Sequence, residues 1–225
     1  MKEIGNYEGL YVENYEKHNK QTLAGKLLQR SHGLLEETLP KDFVGQRILE
    51  VGAGSGHHFS HLRKPVAEYF LTDGSDAMLQ VAENRYKDEI AAGKIVISKQ
   101  DATALSYPDQ SFDRLIATHV LEHIPNPVAA LREWDRVVKK GGVISIVLPC
   151  DPGLLWRFGR CLGPRRNAQK MGIPYDYLQA AEHVNSIFNL VVFIRYHFES
   201  VRELWYPARI PVPDVNLFYV CHIKK

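Results

Sequence analysis

Hydrophobic and polar positions follow two different periods along the chain. Short apolar runs recur through residues 47–149: RILEVG, EYFLTD, KIVIS, FDRLIAT and VISIVLP. Between these runs the apolar residues fall three or four positions apart, which is the spacing of one face of a helix. Strands that alternate with helices are typical of a parallel sheet covered by helices. The pattern therefore predicts an α/β domain.

The two ends of the chain depart from this alternation. Residues 1–44 carry leucines at helical intervals and predict a helical cap. Three tyrosines of this cap repeat at every fourth position and either line a lid or pack on the domain: Tyr7, Tyr11 and Tyr15. Residues 186–225 predict a helix and then two strands, FESVRELWYP and NLFYVCHIKK, paired as an antiparallel hairpin at the sheet edge.

The stretch ILEVGAGSG, residues 48–56, joins an apolar run to a glycine-rich turn. Its three glycines allow positive φ angles and leave room for a ligand to approach the backbone. A helix that begins near His57 is expected to point free N–H groups at that ligand. A dinucleotide fingerprint needs glycine or alanine where His57 stands, so a diphosphate ligand is disfavoured.

Acidic residues follow the second and third predicted strands. Asp73 lies 17 residues beyond Gly56, close to the interval of about 20 at which a carboxylate meets a ribose in nucleotide-binding units. Asp101 can accept a bond from an exocyclic amine, and the Ala102 N–H can bond a ring nitrogen. Because the carboxyl ends of parallel strands meet at one edge of the sheet, these residues are expected to form one nucleoside site.

Composition narrows the class of protein. The chain has 225 residues, enough for one domain, and 28 Lys and Arg against 26 Asp and Glu, so overall charge indicates neither a nucleic acid nor an anionic membrane as partner. No signal sequence or membrane-spanning run is evident, so we expect no stable membrane insertion. Three cysteines without metal-binding spacing favour reduced thiols and a cytoplasmic protein. The oligomeric state is not indicated.

The motifs of residues 45–150, in their order and spacing, resemble those of the class I S-adenosylmethionine-dependent methyltransferases, in the group that acts on small molecules. The resemblance implies a Rossmann-like, doubly wound, seven-stranded α/β sheet of order 3-2-1-4-5-7-6, with strand 7 antiparallel. S-adenosyl-L-methionine is expected across the carboxyl ends of strands one to four, and S-adenosyl-L-homocysteine is the expected product. The implied cofactor-binding residues are Glu50, Gly52, Ala53, Gly54, Gly56, Asp73, Gly74, Ser75, Asp101, Ala102, Thr118, His119 and, from the cap, Tyr15.

We expect a single domain over residues 1–225. Its parts are a helical cap (1–44), the cofactor-binding core (45–150), a substrate arm (151–185), and the final helix and hairpin (186–225).

The segment THVLEHIPNP, residues 118–127, places His119, Glu122 and His123 on one side of a helical turn. Some members of the family with glutamate at the first of these positions bind a divalent metal with a similar trio. His119 stands there in this chain, so we expect activity without an added metal. A metal site at His57, His58 and His61 lacks a supporting ligand pattern. The candidate bases are His123 first, then His119 and His183.

The arm carries five cations and no acid between Asp151 and Asp176: Arg157, Arg160, Arg165, Arg166 and Lys170. They are either a solvated surface or a binding site for a phosphate or carboxylate through Arg157, Arg165 and Arg166. The second interpretation predicts methyl transfer to a hydroxyl or amine of a small metabolite that bears a phosphate or is linked to a sugar.

Three other functions stay open. One is a methyltransferase that acts on lipid headgroups at a membrane surface, and another is a non-catalytic homologue that only binds the cofactor. The third is a nicotinamide-dependent oxidoreductase, which shares the strand, loop and acid but needs the small residue that His57 replaces.

Overall fold

The computed structural model describes residues 23–170 and 172–225. Its α-helices are α1 Leu23–Thr38, α2 Asp76–Arg85, α3 Lys87–Ala91, α4 Pro127–Val137, α5 Leu154–Leu162, α6 Pro164–Lys170, α7 Tyr175–Glu182 and α8 Ile187–His197. Its strands are β1 Arg47–Val51, β2 Glu68–Asp73, β3 Ile95–Lys99, β4 Phe112–Thr118, β5 Val138–Pro149, β6 Val201–Pro207 and β7 Asn216–Lys224. Short 3₁₀ helices cover His57–His61, Leu121–His123 and Pro213–Val215.

The seven strands form one sheet in the order β3-β2-β1-β4-β5-β7-β6. Strands β1 to β5 pair in parallel, and β7 runs antiparallel to both β5 and β6. This is the predicted sheet, and the predicted hairpin at its edge is also present. Because β1 lies between β2 and β4, the turns that follow these three strands meet at one edge, where an open α/β sheet binds its ligands.

Each face of the sheet has its own core, because side chains alternate along a strand. On one face Leu49 of β1 and Leu115 of β4 pack with Trp134 of α4 and Ile194 of α8. On the other face their neighbours Ile48 and Ile116 pack with Leu35 of α1 and Leu79 of α2. Helices therefore cover both faces, and only the strand ends remain for a ligand.

Three local predictions are corrected by the structure. The helix expected at His57 is a 3₁₀ helix of five residues with Gly56 as its N-cap. Cations and glycines from Lys139 to Gly142 predict the end of the helix that Asn126 and Pro127 open. That helix instead ends at Val137, because β5 begins at Val138, and Gly141 has a positive φ of 79° within this strand. The apolar spacing after Ser75 predicts one helix that Gly93 ends. In the structure it is interrupted at Tyr86, which separates α2 from α3.

The expected cap and arm are only partly within the described residues. Helix α1 packs across β5 and β7, while Tyr7, Tyr11 and Tyr15 lie outside the described part of the chain. The arm, which showed no strand pattern, forms α5, α6 and α7. No helix in residues 23–170 or 172–225 is long and apolar enough to cross a membrane. All three cysteines are free thiols; Cys150 and Cys221 are buried, and Cys161 of α5 is exposed.

Candidate active site

The turn after β1 depends on glycine for its shape. Gly52, Gly54 and Gly56 have φ angles of 63°, 55° and 77°. A Cβ atom on Gly52 would lie 2.5 Å from Cγ2 of Val120, and one on Gly56 would lie 2.6 Å from Cδ1 of Leu71. Glycine is thus required at both positions by backbone conformation and by space.

The carboxylate of Asp73 ties β2 to the glycine turn. Its Oδ2 accepts a hydrogen bond of 2.8 Å from the Gly54 N–H, and its Oδ1 accepts one of 2.8 Å from the Ser75 N–H. A carboxylate oxygen has room for two bonds, so both oxygens keep acceptor capacity for a diol. Ser75 also caps α2, since its hydroxyl accepts from the Met78 N–H.

Asp101 and Ala102 are held at the end of β3 by bonds of their own. Asp101 Oδ1 accepts from the N–H and the hydroxyl of Thr103, and these bonds hold the pKa of the Asp101 carboxyl below its usual range. The Trp134 indole donates to the Ala102 carbonyl over 2.9 Å. Oδ2 of Asp101 is left to accept a bond from a ligand. The bond from Trp134 of α4 holds the neighbouring backbone in place.

These groups line one cleft of about 610 Å³. Seven of its lining residues belong to the predicted site: Gly52, Asp73, Gly74, Asp101, Ala102, His119 and His123. Five others were not predicted, because nothing in their residue types marks them: Val51, Lys99, Gln100, Val120 and Ile124. The remaining predicted cofactor residues of the described chain do not line the cleft: Glu50, Ala53, Gly54, Gly56, Ser75 and Thr118.

Glu50 lies beneath the glycine turn. It is 1% exposed, its Oε2 accepts a bond of 2.7 Å from the Tyr69 hydroxyl, and its Oε1 has no partner in the described part of the chain. Burial raises the pKa of Glu50 to about 8, so the side chain is mostly a neutral acid at pH 7.

His119 begins the turn that follows β4, with a φ of 58°. Its Nε2 lies 2.9 Å from the Ser31 hydroxyl of α1. Since that hydroxyl donates to the Leu28 carbonyl, Nε2–H must be the donor, and the Nδ1 lone pair faces Glu122 Oε1 at 3.8 Å. Burial, with nearby His123 and His183, lowers the pKa of His119 to about 3, so the ring is neutral.

Glu122, His123 and His183 meet beside the cleft. Glu122 is 2% exposed, and burial raises its pKa to about 8. The rings of His123 and His183 stand edge to face with centroids 4.8 Å apart. His183 lines a second cavity of about 250 Å³ with Asp151, Arg160 and residues of α7. The two histidines therefore separate the large cleft from this second cavity.

The predicted acceptor arginines differ in their surroundings. Arg165 is held by Asp176, which accepts from its Nε over 3.0 Å. Arg157 and Arg166 are exposed and form no ion pair within the described part of the chain. Arg160, which was not assigned a role, lines the second cavity, and its guanidinium lies 3.4 Å from the Asp151 carboxylate.

A buried polar network supports the site from below. Glu36 of α1 pairs with Arg114 of β4 at 2.7 Å and accepts from His58 Nε2 at 3.1 Å. Burial alone raises the pKa of Glu36, but the bonds from His58 and Arg114 outweigh it and lower that pKa to about 2. Arg114 Nε donates to Ser145, whose hydroxyl bonds His222 Nδ1 at 2.9 Å. This network joins α1 to β4, β5 and β7.

The sheet order, the glycine turn and the acids after β2 and β3 are together the arrangement expected of a class I S-adenosylmethionine-dependent methyltransferase domain. Residues 49–146 also match the model of a family described as a methyltransferase domain. The cofactor of this class is S-adenosylmethionine. The cleft fits it, because a glycine-rich turn adjoins two carboxylates that keep acceptor capacity.

The curated relatives are similar to this chain over a little less than half of its length. The ubiquinone/menaquinone biosynthesis C-methyltransferase of Pseudomonas putida strain F1 is 35% identical over 106 residues, which are 46% of this chain and 41% of that protein. Its counterpart in Shewanella sp. strain ANA-3 is 32% identical over 106 residues, 46% of this chain and 42% of that protein. The chain thus matches less than half the length of these relatives.

Solved structures share the fold over nearly the whole chain. A Thermotoga maritima protein described as a possible histamine N-methyltransferase has a TM-score of 0.63 at 20% identity and covers 97% of this chain and 98% of its own. The cyclase SpnF has a TM-score of 0.67 at 15% identity and covers 96% and 94%. A cyclase among the neighbours means that the fold alone does not fix the reaction.

Proposed function

We propose that this protein transfers the methyl group of S-adenosylmethionine to a small-molecule acceptor. The observation that carries the proposal is the single cleft in which the glycine turn, Asp73, Asp101 and His123 meet. When bound, the cofactor supplies a methyl group already activated by a sulfonium charge. Gly52 to Gly56 would hold its methionine end, Asp73 its ribose, and Asp101 with Ala102 its adenine.

The residues of the chain would mainly orient the acceptor and remove its proton. His123 is the first candidate base, because its Nδ1 donates to the Glu182 carbonyl over 3.0 Å and its Nε2 is left with a lone pair. His119 and His183 are the next candidates. The acceptor would lie between the cleft and the second cavity, since His123 lines the cleft, His183 lines the second cavity, and the two rings are in contact.

We further propose that the acceptor is a small anionic metabolite methylated on a hydroxyl or amine. The cations Arg157, Arg165 and Arg166 of the arm support an anion, and Arg and phosphate can pair through two parallel hydrogen bonds. Methylation of carbon is the second candidate, because the curated relatives of this core are described as C-methyltransferases. We place the reaction in the cytoplasm, without nucleic acid or membrane insertion, in keeping with three free thiols.

Label transfer from methyl-labelled S-adenosylmethionine to a metabolite panel tests the proposal. The panel should contain matched acceptors with and without a phosphate, and with a hydroxyl, an amine or an activated carbon as the nucleophile. Label in a phosphate-bearing hydroxyl or amine is the expected result. Calorimetry with S-adenosylhomocysteine and with NAD separates cofactor binding from catalysis. Binding of NAD alone would contradict the proposal at its first step.

A further inference from the structure

We infer that Glu122, His123 and His183 form a binding site for a divalent metal of the zinc type. One oxygen of Glu122 and one ring nitrogen of each histidine all lie within 4.8 Å of one another. Tetrahedral zinc with bonds of about 2.0–2.2 Å places its ligands roughly 3.3 Å apart, so small side-chain rotations close the set. Metal binding at this site can be measured without methyl transfer.

The hydrogen bonds of both rings prepare them for a metal. His123 Nδ1 lies 3.0 Å from the Glu182 carbonyl, which only accepts, so Nδ1 carries the hydrogen and Nε2 the lone pair. His183 Nδ1 lies 2.8 Å from Asp151 Oδ2, and a carboxylate oxygen accepts, so Nδ1 is again the donor. A carboxylate or carbonyl behind the second ring nitrogen is the usual support of a metal-binding histidine.

The carboxylate supplies an independent observation. Glu122 is 2% exposed, and its Oε2 has no hydrogen-bond partner in the described part of the chain. Its Oε1 lies 3.9 Å from His123 Nε2, too far for a hydrogen bond. A buried carboxylate oxygen without a partner is costly, and a cation between Glu122 and the two rings would remove that cost.

The backbone brings the third ligand to the other two. The Asn185 N–H donates to the Glu122 carbonyl over 3.1 Å, and the Asn185 side chain donates to the Ile124 carbonyl over 2.7 Å. These bonds fasten the end of the arm against the turn that holds Glu122 and His123. The sequence pattern grouped His119 with Glu122 and His123. In the structure His119 Nε2 is bonded to Ser31, and His183 is the third residue beside Glu122 and His123.

Two histidines and one carboxylate leave a fourth position for water or an acceptor oxygen, as in catalytic zinc sites. With a metal bound, His123 acts as a ligand and not as a base, and the expectation of metal-independent activity no longer holds. The arm would then be coupled to the core through the metal.

Zinc titration of the metal-free protein, without cofactor or acceptor, tests the inference. We expect one equivalent of zinc to bind and a cobalt(II) form to show the visible absorption of a tetrahedral nitrogen and oxygen site. His183→Gln should weaken zinc binding by about 100-fold or more. Asp151→Asn, which weakens the support behind His183 and also the ion pair with Arg160, should weaken zinc binding by about 10- to 100-fold.

Two controls separate this site from other histidines. His197→Gln removes a partly exposed histidine of α8 and should leave binding unchanged. His61→Gln tests the histidine cluster under α1, where the rings of His32 and His61 stack 5.4 Å apart. Unchanged zinc affinity in both His183→Gln and Asp151→Asn, or loss in His61→Gln alone, would overturn the inference. Cofactor calorimetry on each variant confirms that it is folded.

Discussion

At the scale of single residues, the bonds of Asp73 predict how the cofactor is held. Asp73→Asn keeps the shape of the side chain but removes the charge that would accept both ribose hydroxyls. We expect S-adenosylhomocysteine binding to weaken by about 1.5–3 kcal/mol, the scale of hydrogen bonds to a charged group. Calorimetry measures the change. Asp76→Asn, at an exposed acid three residues further on, is the matched control, and equal affinities in the two variants would count against the ribose assignment.

A second residue-scale prediction compares two glycines with similar backbone angles. Gly52 and Gly93 have φ angles of 63° and 71°, but a Cβ on Gly93 meets nothing within 4 Å. Gly93→Ala should cost about 1–2 kcal/mol of unfolding free energy, the cost of the left-handed conformation, and leave cofactor affinity unchanged. Gly52→Ala should cost more and also reduce cofactor affinity, because its Cβ displaces Val120 into the cleft. Urea unfolding and calorimetry on both variants test this, and equal effects would show that space at Gly52 is unimportant.

At the scale of elements, α1 is attached to the sheet by buried charge. Glu36→Gln leaves Arg114 buried without its counter-charge and should cost about 3–5 kcal/mol at pH 7. Glu37→Gln changes the neighbouring surface acid, which pairs with Arg30 and Arg63, and should cost no more than about 1 kcal/mol. Urea unfolding at pH 7 compares the two variants.

The stability that the ion pair of Glu36 and Arg114 provides should depend on pH. The pKa of Glu36 is about 2 in the folded protein and near 4.5 when unfolded, so its stabilisation is present above pH 4.5 and is lost as pH falls towards 2. At about 1.4 kcal/mol per pKa unit, the loss is about 3 kcal/mol. The difference in unfolding free energy between wild type and Glu36→Gln should therefore narrow below pH 4.5. A constant difference across that range would contradict the assignment.

The arm gives the second element-scale prediction. Arg165→Gln combined with Arg166→Gln should raise the KM of an anionic acceptor and leave S-adenosylhomocysteine affinity unchanged. Asp176→Asn releases Arg165 from its ion pair and should lower that KM, because the guanidinium no longer has to leave a carboxylate. Steady-state kinetics with the acceptor found in the label-transfer screen measures these KM values. Wild-type KM in both variants would assign the cations to a solvated surface.

For the whole molecule, the cofactor should stabilise the fold by mass action. S-adenosylhomocysteine at 100 times its Kd should add about 2.7 kcal/mol to the unfolding free energy. For a domain of this size that corresponds to a rise in Tm of about 5–10 °C. NAD at the same concentration should leave Tm unchanged. A larger rise with NAD would favour the oxidoreductase that the glycine turn left open.

The sheet was predictable at this scale because each strand is a short apolar run and the glycines mark where the first one ends. The same reasoning missed the buried side of α1, where Ser31, His32 and Glu36 lie next to Leu35. A prediction from hydrophobic spacing treats polar residues as exposed. Their burial is explained by polar partners that lie far away in the sequence. For the same reason the sequence grouped His119 with His123, four positions away. It named His183 as a candidate base but did not place it next to His123, 60 positions away, where the fold brings it.

The unequal burial of the three thiols makes the arm directly observable. Burial raises the pKa values of Cys150 and Cys221 to about 12, which suppresses the reactive thiolate, whereas Cys161 is exposed on α5. A maleimide dye should therefore label the native protein at one position in the arm, without any cysteine substitution. The dye fluorescence would report changes in the surroundings of α5 as cofactor, acceptor or zinc is added. Comparing these additions would show which ligand changes the conformation of the arm.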